Sequence, residues 1–338
     1  MDKVKIGLIG AGKIGRLHAE NICSSVRDAE LVAVADILMN RETEQWMKGL
    51  GIGKCCKDPS EIFNDPSIDA VFICSSTNTH ADFIIEAAKA GKQIFCEKPI
   101  SDNLEMIHKA LDAVEKAGVT LQVGFVRRFD HNHKKVRDTV ASGVLGKPHI
   151  VKVTSRDPEP PSMDYVRVSG GIFMDMMIHD FDMVRYLSGS EVTEVAAYGG
   201  AMIDREFERY HDVDTAIVML KFENGAIGVI ENSRATHYGY DQRTEVLCDK
   251  GCVQVANDLE DTSMISTGEG VVCAKPTWFF LERYNDAFIS EERMFVSAVL
   301  KDTEPLVGGI DGLRSVEIAE AAKKSLQEGR MVKLAEIR

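Results

Sequence analysis

Residues 4–15 read VKIGLIGAGKIG, and this stretch decides the fold of the first half of the chain. The continuous apolar run Val4 to Ile9 predicts a buried strand, and it continues directly into the pattern Gly-x-Gly-x-x-Gly. In this pattern Gly10 permits a tight turn, Gly12 lets a pyrophosphate approach the backbone, and Gly15 allows close packing of helix on strand. A helix expected after the turn then offers unpaired N–H groups to the phosphates. The stretch therefore predicts a dinucleotide-binding site.

The nature of the dinucleotide follows from the end of the second expected strand. Asp36 lies there, 21 residues past Gly15. A carboxylate at this place accepts hydrogen bonds from a ribose 2′-OH and repels a 2′-phosphate, which favours NAD over NADP. The loop 75–80, at the end of another strand, is predicted either to contact the cofactor or to cap the next helix. The full set of predicted cofactor contacts is Gly10, Gly12, Lys13, Ile14, Asp36, Ser75, Asn78, His80, Glu97 and Lys98.

The periodicity of the sequence changes near residue 125. Before it, short apolar runs alternate with helical patterns, which predicts βαβ units and a doubly wound parallel sheet. Beyond it, strand-like segments follow one another, with hairpin signals at Asn224-Gly225 and Lys250-Gly251. We expect an α/β Rossmann domain over 1–125 and an α+β domain with an open, mainly antiparallel sheet over 126–338.

One apolar segment of the second half carries charged side chains. Between Gly170-Gly171 and Gly189, the spacing of Asp175, His179 and Asp182 places all three on one face of a predicted helix. Buried groups of this kind need partners, because their desolvation costs several kcal/mol. An Asp that accepts a hydrogen bond from His leaves the other ring nitrogen free to take a proton. We interpret the pair as a general base, His179, oriented by Asp175.

A lysine stands at the end of another expected strand, 93–96, in the sequence Glu97-Lys98-Pro99. At the carboxyl tip of a parallel strand it would face the ligand crevice. There its ammonium group stabilises the alkoxide that forms when a hydride leaves. Spacing alone is equally consistent with a surface lysine before a turn-forming proline.

Composition limits the classes of partner. A net charge of −13 over 338 residues argues against nucleic acid or anionic membrane. We find neither a secretory pattern nor a membrane-length apolar stretch, and the eight cysteines lack zinc spacing, so we expect a reduced, cytoplasmic protein. Asp175, His179 and Asp182 are also potential ligands of a divalent metal. Without a second histidine at ligand spacing, we expect no metal.

Three motifs together resemble the Gfo/Idh/MocA oxidoreductase family: Gly-x-Gly-x-x-Gly, Glu97-Lys98-Pro99, and the run from Gly170 to Asp180. The resemblance covers essentially the whole chain. It implies a Rossmann domain followed by an open-sheet domain, with Lys98, Asp175 and His179 as catalytic residues. In the family the Lys-Pro bond is often cis, which would make it a shaped part of the site.

Within this family the chain is most similar to inositol 2-dehydrogenases, through 124–130 and 238–241. That resemblance implies substrate contacts from Arg128, Asp157, Tyr238 and Tyr240, and a homodimer or homotetramer built through the open sheet. From the residues alone, Arg128 is also consistent with a solvated pair with Arg127. The two tyrosines are also consistent with half-exposed positions on one strand face.

The implied reaction is NAD-dependent oxidation of a ring hydroxyl of a cyclitol, myo-inositol to 2-keto-myo-inositol (scyllo-inosose), with His179 as general base. Two alternatives stay open. In the first alternative the substrate is another polyol, an aldose or a sugar derivative, since the contacts of the pocket decide specificity. In the second alternative the chain is a non-catalytic NAD-binding sensor with the same fold.

Overall fold

A computed structural model describes residues 3–338. The strands are β1 (Val4–Ile9), β2 (Ala29–Ala35), β3 (Lys54–Cys56), β4 (Ala70–Ile73), β5 (Gln93–Glu97), β6 (Leu121–Gly124), β7 (Pro148–Arg156), β8 (Val192–Gly200), β9 (Thr215–Phe222), β10 (Ile227–Ser233), β11 (Asp241–Cys248), β12 (Gly251–Val255), β13 (Met264–Thr267), β14 (Gly270–Cys273) and β15 (Val332–Lys333). The α-helices are α1 (Lys13–Ser25), α2 (Arg41–Gly49), α3 (Ser60–Phe63), α4 (Thr77–Lys89), α5 (Leu104–Ala117), α6 (His131–Ala141), α7 (Met163–Ser169), α8 (Ile172–Asp175), α9 (Ile178–Ser188), α10 (Phe280–Arg283), α11 (Asn285–Lys301) and α12 (Gly309–Glu328). Short 3₁₀ helices cover Val126–Phe129, Arg205–Tyr210 and Leu334–Glu336.

The first sheet contains six strands in the order β3-β2-β1-β4-β5-β6, and every neighbouring pair is parallel. Its central strands are buried apolar runs, as the sequence pattern predicted. The strand order reverses between β1 and β4, and open α/β sheets bind ligands beyond the carboxyl ends of their strands at such a point. The predicted doubly wound Rossmann fold is confirmed.

The predicted domain boundary at 125/126 differs from the structure. The chain divides into two compact units: an N-terminal unit, which runs to Phe129 and includes Asp286–Arg314, and a C-terminal unit, Asp130–Asn285 with Ser315–Arg338. The segment Asp286–Arg314 joins the Rossmann core because α11 brings apolar side chains to it. The ring of Phe295 lies 5.3 Å from that of Phe72 between centroids.

The C-terminal unit is built on a seven-stranded sheet in the order β12-β11-β7-β10-β9-β8-β15. All neighbours are antiparallel except β7 and β10, so the predicted open, mainly antiparallel sheet is confirmed. Helix α9 packs against β7 on one face. On the other face, alternate residues of β9 are exposed, including Ile217 and Met219. Among residues 3–338, none of the helices has the length and apolar character needed to cross a membrane.

Candidate active site

The glycine-rich turn has the geometry that its sequence pattern requires. Gly10 has φ 97°, and a Cβ there would lie 2.6 Å from the carbonyl oxygen of Cys74. A Cβ on Gly15 would lie 1.8 Å from the carbonyl oxygen of Gly10. By contrast, a Cβ on Gly12 would meet no atom within 4 Å, because this N-cap of α1 faces open space. The turn thus leaves room for a phosphate at the N-terminus of α1, beside Lys13.

Asp36 reaches back to this turn. Its Oδ2 accepts a hydrogen bond from the Ala11 N–H at 2.6 Å, and its Oδ1 accepts one from the Leu38 N–H at 2.7 Å. These bonds hold the carboxylate at the carboxyl end of β2, next to the glycine turn. A carboxylate there suits the ribose hydroxyls of NAD. The turn and Asp36 therefore fit the cofactor predicted from the sequence.

In the loop after β4, the N-cap of α4 is Ser76, and no side chain caps the helix there. Helix α4 begins at Thr77, and the hydroxyls of Ser75 and Thr79 lie 2.7 Å apart across its first turn. Asn78 is exposed. His80 is buried: its Nδ1 lies 2.8 Å from the Pro99 carbonyl oxygen and its Nε2 lies 2.9 Å from that of Ser75. Burial lowers the pKa of His80. Its ring therefore bridges this loop and the one after β5.

The Glu97-Lys98-Pro99 segment is shaped at the end of β5. The Lys98–Pro99 peptide bond is cis, as the family resemblance implied. One carboxylate oxygen of Glu97 accepts the Lys98 backbone N–H at 3.3 Å. The Glu97 carboxyl lies against Gly124, where a Cβ would come within 3.0 Å of it. The backbone at the half-buried Lys98 is therefore held by the side chain of the preceding residue, Glu97.

His18 of α1 completes the support of Glu97, and our sequence analysis missed it. Its Nε2 lies 2.9 Å from Glu97 Oε1, and its Nδ1 lies 2.7 Å from Oε1 of Glu292 on α11. The two carboxylates raise the pKa of His18 to about 10 against the opposing effect of burial. A histidine on the apolar face of α1 is the only sequence signal, and such a residue is usually a packed core side chain.

In the C-terminal unit, Asp175 is bound by two residues absent from the sequence prediction. The Tyr165 hydroxyl donates to Asp175 Oδ1 at 2.7 Å, and both terminal nitrogens of Arg234 lie 3.1 Å from Oδ2. Arg234 is almost fully buried, whereas Asp175 and His179 are half-buried. The pKa of Tyr165 is raised by burial and by the Asp175 charge, so its hydroxyl remains a donor.

The helix expected to carry Asp175 and His179 is interrupted, and this corrects the prediction of one continuous helical face. Helix α8 ends at Asp175 and α9 begins at Ile178. The Met177 N–H bonds five residues back to the Ile172 carbonyl, and the His179 N–H bonds three residues back to that of Met176. The uniform spacing of helical bonds is lost at the break.

The residue after His179 anchors the start of α9. Asp180 is fully buried, and its two oxygens accept hydrogen bonds from Ser155 Oγ at 2.7 Å and from Asn232 Nδ2 at 2.8 Å. Ser155 lies on β7 and Asn232 on β10, so the helix is tied to the centre of the sheet. Asp182, which the sequence predicted on the same face as Asp175, is buried. Its Oδ1 lies 3.8 Å from Nη1 of Arg185.

The residues carried over as substrate contacts lie in both units. Arg128 is buried in the N-terminal unit, where it donates to Asp311 at 2.8 Å, so it is not a solvated surface residue. Half-buried Asp157 follows β7. The two tyrosines precede β11 in a loop and do not share a strand face. Tyr238 donates to Asp241 at 2.7 Å, and buried Tyr240 packs against Tyr284.

A group of potential metal ligands occurs elsewhere in the C-terminal unit. Ligand atoms of Asp130, His131 and Asp258 lie within 4.8 Å of one another. Arg283 already contacts two of them, Asp130 at 2.6 Å and Asp258 at 3.1 Å. A guanidinium in that position neutralises the carboxylates that would attract a cation. The group has the composition of an ion-pair cluster.

Comparison with known proteins identifies the family. The model of the oxidoreductase family with an NAD-binding Rossmann fold matches residues 4–125, and that of the Gfo/Idh/MocA C-terminal domain matches 133–254. The chain belongs to the Gfo/Idh/MocA oxidoreductases. It is thus an NAD-dependent oxidoreductase, in agreement with the glycine turn and Asp36.

Individual members of the Gfo/Idh/MocA family are similar over the whole length. Myo-inositol 2-dehydrogenase of Thermotoga maritima is 48% identical over 99% of both chains. scyllo-Inositol 2-dehydrogenase (NAD⁺) of Bacillus subtilis is 38% identical over 98% of this chain and 96% of its own. A crystal structure of scyllo-inositol dehydrogenase from Lactobacillus casei, with bound NAD(H) and scyllo-inositol, has a TM-score of 0.92 at 28% identity. The match covers 99% of this chain and 100% of that one.

Proposed function

We propose that this oxidoreductase transfers a hydride from a ring hydroxyl carbon of a cyclitol to NAD, with myo-inositol as substrate and 2-keto-myo-inositol as product. The observation that carries the proposal is the way Lys98 and Asp175 are held by hydrogen bonds to neighbouring side chains. The backbone N–H of Lys98 donates to the Glu97 carboxylate, and Asp175 accepts hydrogen bonds from Tyr165 and Arg234. The full-length similarity to inositol dehydrogenases supports the choice of substrate.

In this mechanism the chain's own residues move one proton and stabilise one charge. His179 removes the proton from the ring hydroxyl, and Asp175 keeps the imidazole oriented. The ammonium of Lys98 stabilises the alkoxide oxygen that develops. NAD would supply the acceptor for the hydride that leaves the carbon carrying this oxygen.

The relatives act on two stereoisomers, and chemistry links them. myo-Inositol and scyllo-inositol differ only in the configuration at one carbon. Oxidation at that carbon of myo-inositol gives the same ketone as oxidation of scyllo-inositol, because the carbonyl removes the difference. We propose myo-inositol as the preferred isomer, since the chain is 48% identical to the myo-inositol 2-dehydrogenase and 38% identical to the scyllo-inositol 2-dehydrogenase. We propose Arg128, Asp157, Tyr238 and Tyr240 as the polar groups that bind the ring.

The test is NADH formation, followed by absorbance, with myo-inositol, scyllo-inositol, glucose and galactose. We expect the highest kcat/KM with myo-inositol. A preference for an aldose would overturn the cyclitol assignment, and NADH binding without turnover of any polyol or aldose would favour the sensor.

His179→Ala should lose most of kcat and still bind NADH, whereas His149→Ala should behave like the wild type. His149 is an exposed histidine of the same unit, paired with Asp249.

We further propose that NAD is preferred to NADP because of Asp36. Replacement of Asp36 by Ala removes the repulsion of a 2′-phosphate, so the ratio of kcat/KM for NAD to that for NADP should fall about tenfold or more. Arg41→Ala is the matched control, since Arg41 is exposed on the adjacent helix. An unchanged ratio in Asp36→Ala, or a changed one in Arg41→Ala, would contradict this assignment.

We also propose a cytoplasmic homo-oligomer that associates through the exposed face of the C-terminal sheet. All eight cysteines are free thiols, in keeping with a reducing compartment. The exposed sheet face carries Ile217, Met219 and Ile227, an arrangement that favours association. Light scattering should show a dimer or tetramer for the wild type and a smaller species for Ile217→Glu/Met219→Glu. A monomeric wild type would refute the proposal.

A further inference from the structure

A buried polar cluster lies under the Glu97-Lys98-Pro99 segment, within the N-terminal unit. His18 is completely inaccessible, and each of its ring nitrogens lies within 3 Å of a carboxylate oxygen: Glu97 at 2.9 Å and Glu292 at 2.7 Å. A neutral imidazole has one N–H, whereas an imidazolium donates to both carboxylates. The geometry therefore favours a charged His18 between Glu97 and Glu292.

The two carboxylates stabilise the charged form of His18. Its pKa is raised to about 10 by hydrogen bonds and charge from the two carboxylates, which outweigh burial. Burial raises the pKa of the Cys74 and Cys96 thiols and of the Glu291 carboxyl, which favours their neutral forms. Burial also raises the pKa of Glu292, and the hydrogen bond and charge of His18 oppose that rise. Phe72, Phe95 and Phe288 surround the His18 ring, Asn21 donates to Glu292, and Arg293 of α11 acts on the Glu292 charge.

We propose that His18 is a positioning residue for Lys98, which acts through Glu97. The imidazolium fixes one oxygen of the Glu97 carboxylate, and the other oxygen holds the Lys98 backbone N–H. The proposal rests on the proposed catalytic role of Lys98. Neither His18 nor Glu292 was identified as a site residue from the sequence.

Stability alone gives a poor reason for such a cluster. The desolvation of buried ions offsets most of their attraction, and apolar replacements of similar volume often leave stability unchanged or higher. The ring of His18 is surrounded by aromatic rings at 5.1–5.7 Å between centroids, where an apolar side chain would pack well. An apolar residue in place of His18 would lose the contact with Glu97, the residue directly before Lys98.

This contrast suggests the double variant His18→Leu/Glu292→Leu, which removes both ions and leaves the pocket apolar. We expect it to fold, to bind NADH within about threefold of the wild type, and to lose about 10- to 100-fold in kcat. Its kinetic isotope effect on kcat, with myo-inositol deuterated at the oxidised carbon, should rise because hydride transfer becomes slower. Wild-type kcat in the folded variant overturns the proposal, and so does a loss of kcat with an unchanged isotope effect.

Two further variants keep the test decisive. Lys92→Met removes another buried cation, at the opposite end of β5, where Lys92 contacts the carbonyl oxygens of Asp65 and Ile68. This control should lower the melting temperature without a change in kcat or isotope effect. If the double variant does not fold, His18→Gln decides, because glutamine is uncharged and has a single amide nitrogen in place of the two ring nitrogens that meet the two carboxylates. It should lower kcat and raise the isotope effect, and wild-type values of both would overturn the proposal. An inactive wild type, or a fully active Lys98→Ala, would instead refute the proposed function.

Discussion

Tyr165 donates a 2.7 Å hydrogen bond to Oδ1 of Asp175, while Arg234 contacts the other oxygen of that carboxylate. The carboxylate that orients His179 in the proposed mechanism is thus fixed on both oxygens. Tyr165→Phe removes one of these contacts and no bulk. A hydrogen bond to a charged group contributes about 1.5–3 kcal/mol, so kcat should fall about tenfold or more as Asp175 gains freedom.

Steady-state kinetics and NADH titration measure this effect. The affinity for NADH should not change, because Tyr165 bonds to Asp175, whereas the glycine turn is held by Asp36. Tyr210→Phe makes the same chemical change elsewhere in the C-terminal unit and should leave kcat unaltered. Equal kinetics for Tyr165→Phe and the wild type would show that this hydroxyl plays no part in the reaction.

Arg234 has a second role, in stability. It is 2% exposed and compensates the charge of Asp175. Arg234→Met leaves that carboxylate without its buried cation, which costs about 3–5 kcal/mol. Urea denaturation of the whole protein, monitored with a probe in the C-terminal unit, measures the loss in free energy of unfolding.

The control for this measurement is Arg243→Met. Arg243 pairs with Asp241 at 2.7 Å, but its side chain is 44% exposed, so the loss should stay below about 1 kcal/mol. Similar losses in the two variants would contradict the structural role of Arg234.

The parallel sheet was predictable because its signals are local. Each buried strand of it appears in the sequence as an apolar run, and the glycine pattern follows the first one. Strand β3 (Lys54–Cys56) was missed, since three residues at the edge of a sheet give no such run. The return of α11 to this unit was missed as well. Which core an amphipathic helix joins depends on tertiary packing, not on its own periodicity.

The candidate site was predictable only in part, for a related reason. Spacing along the chain pointed to Asp175 and His179, but it assumed an unbroken helix. The break before α9 depends on local backbone bonds that the apolar sequence does not signal. Arg234 is 59 residues from Asp175 in the chain, and such partners follow from sheet topology alone.

Two glycines of the cofactor turn should respond differently to alanine. In Gly15→Ala the new methyl would lie 1.8 Å from a backbone oxygen, so the strand and helix must separate. We expect a clear fall in melting temperature and loss of NADH binding. In Gly12→Ala the methyl meets open space, so the fold should persist while NADH binds at least about tenfold more weakly, because the methyl occupies the approach of the pyrophosphate.

Melting curves and NADH fluorescence titrations on both variants separate the two effects. Gly118→Ala, at the end of α5, is a useful third variant. Its φ of 66° predicts strain, but it lies far from the cofactor turn in the sequence and should leave NADH affinity unchanged. Normal NADH affinity in Gly12→Ala would show that the pyrophosphate does not approach this turn.

Glu291 should make stability fall as the pH rises. Within the described part of the chain neither carboxyl oxygen of this buried side chain has a hydrogen-bond partner, and burial raises its pKa well above 4.5. The folded state therefore keeps a proton that the unfolded state releases above pH 4.5. Stability contributed by this group is complete below that pH and decreases by about 1.4 kcal/mol per unit until the folded pKa is reached.

Glu291→Gln removes this proton uptake and retains the shape of the side chain. Its free energy of unfolding should therefore exceed that of the wild type by an amount that grows between pH 5 and pH 8. Glu115→Gln, on the exposed side of α5, should follow the wild type at every pH. Parallel pH profiles for Glu291→Gln and the wild type would mean that Glu291 ionises in the folded protein, so its burial would not control its protonation.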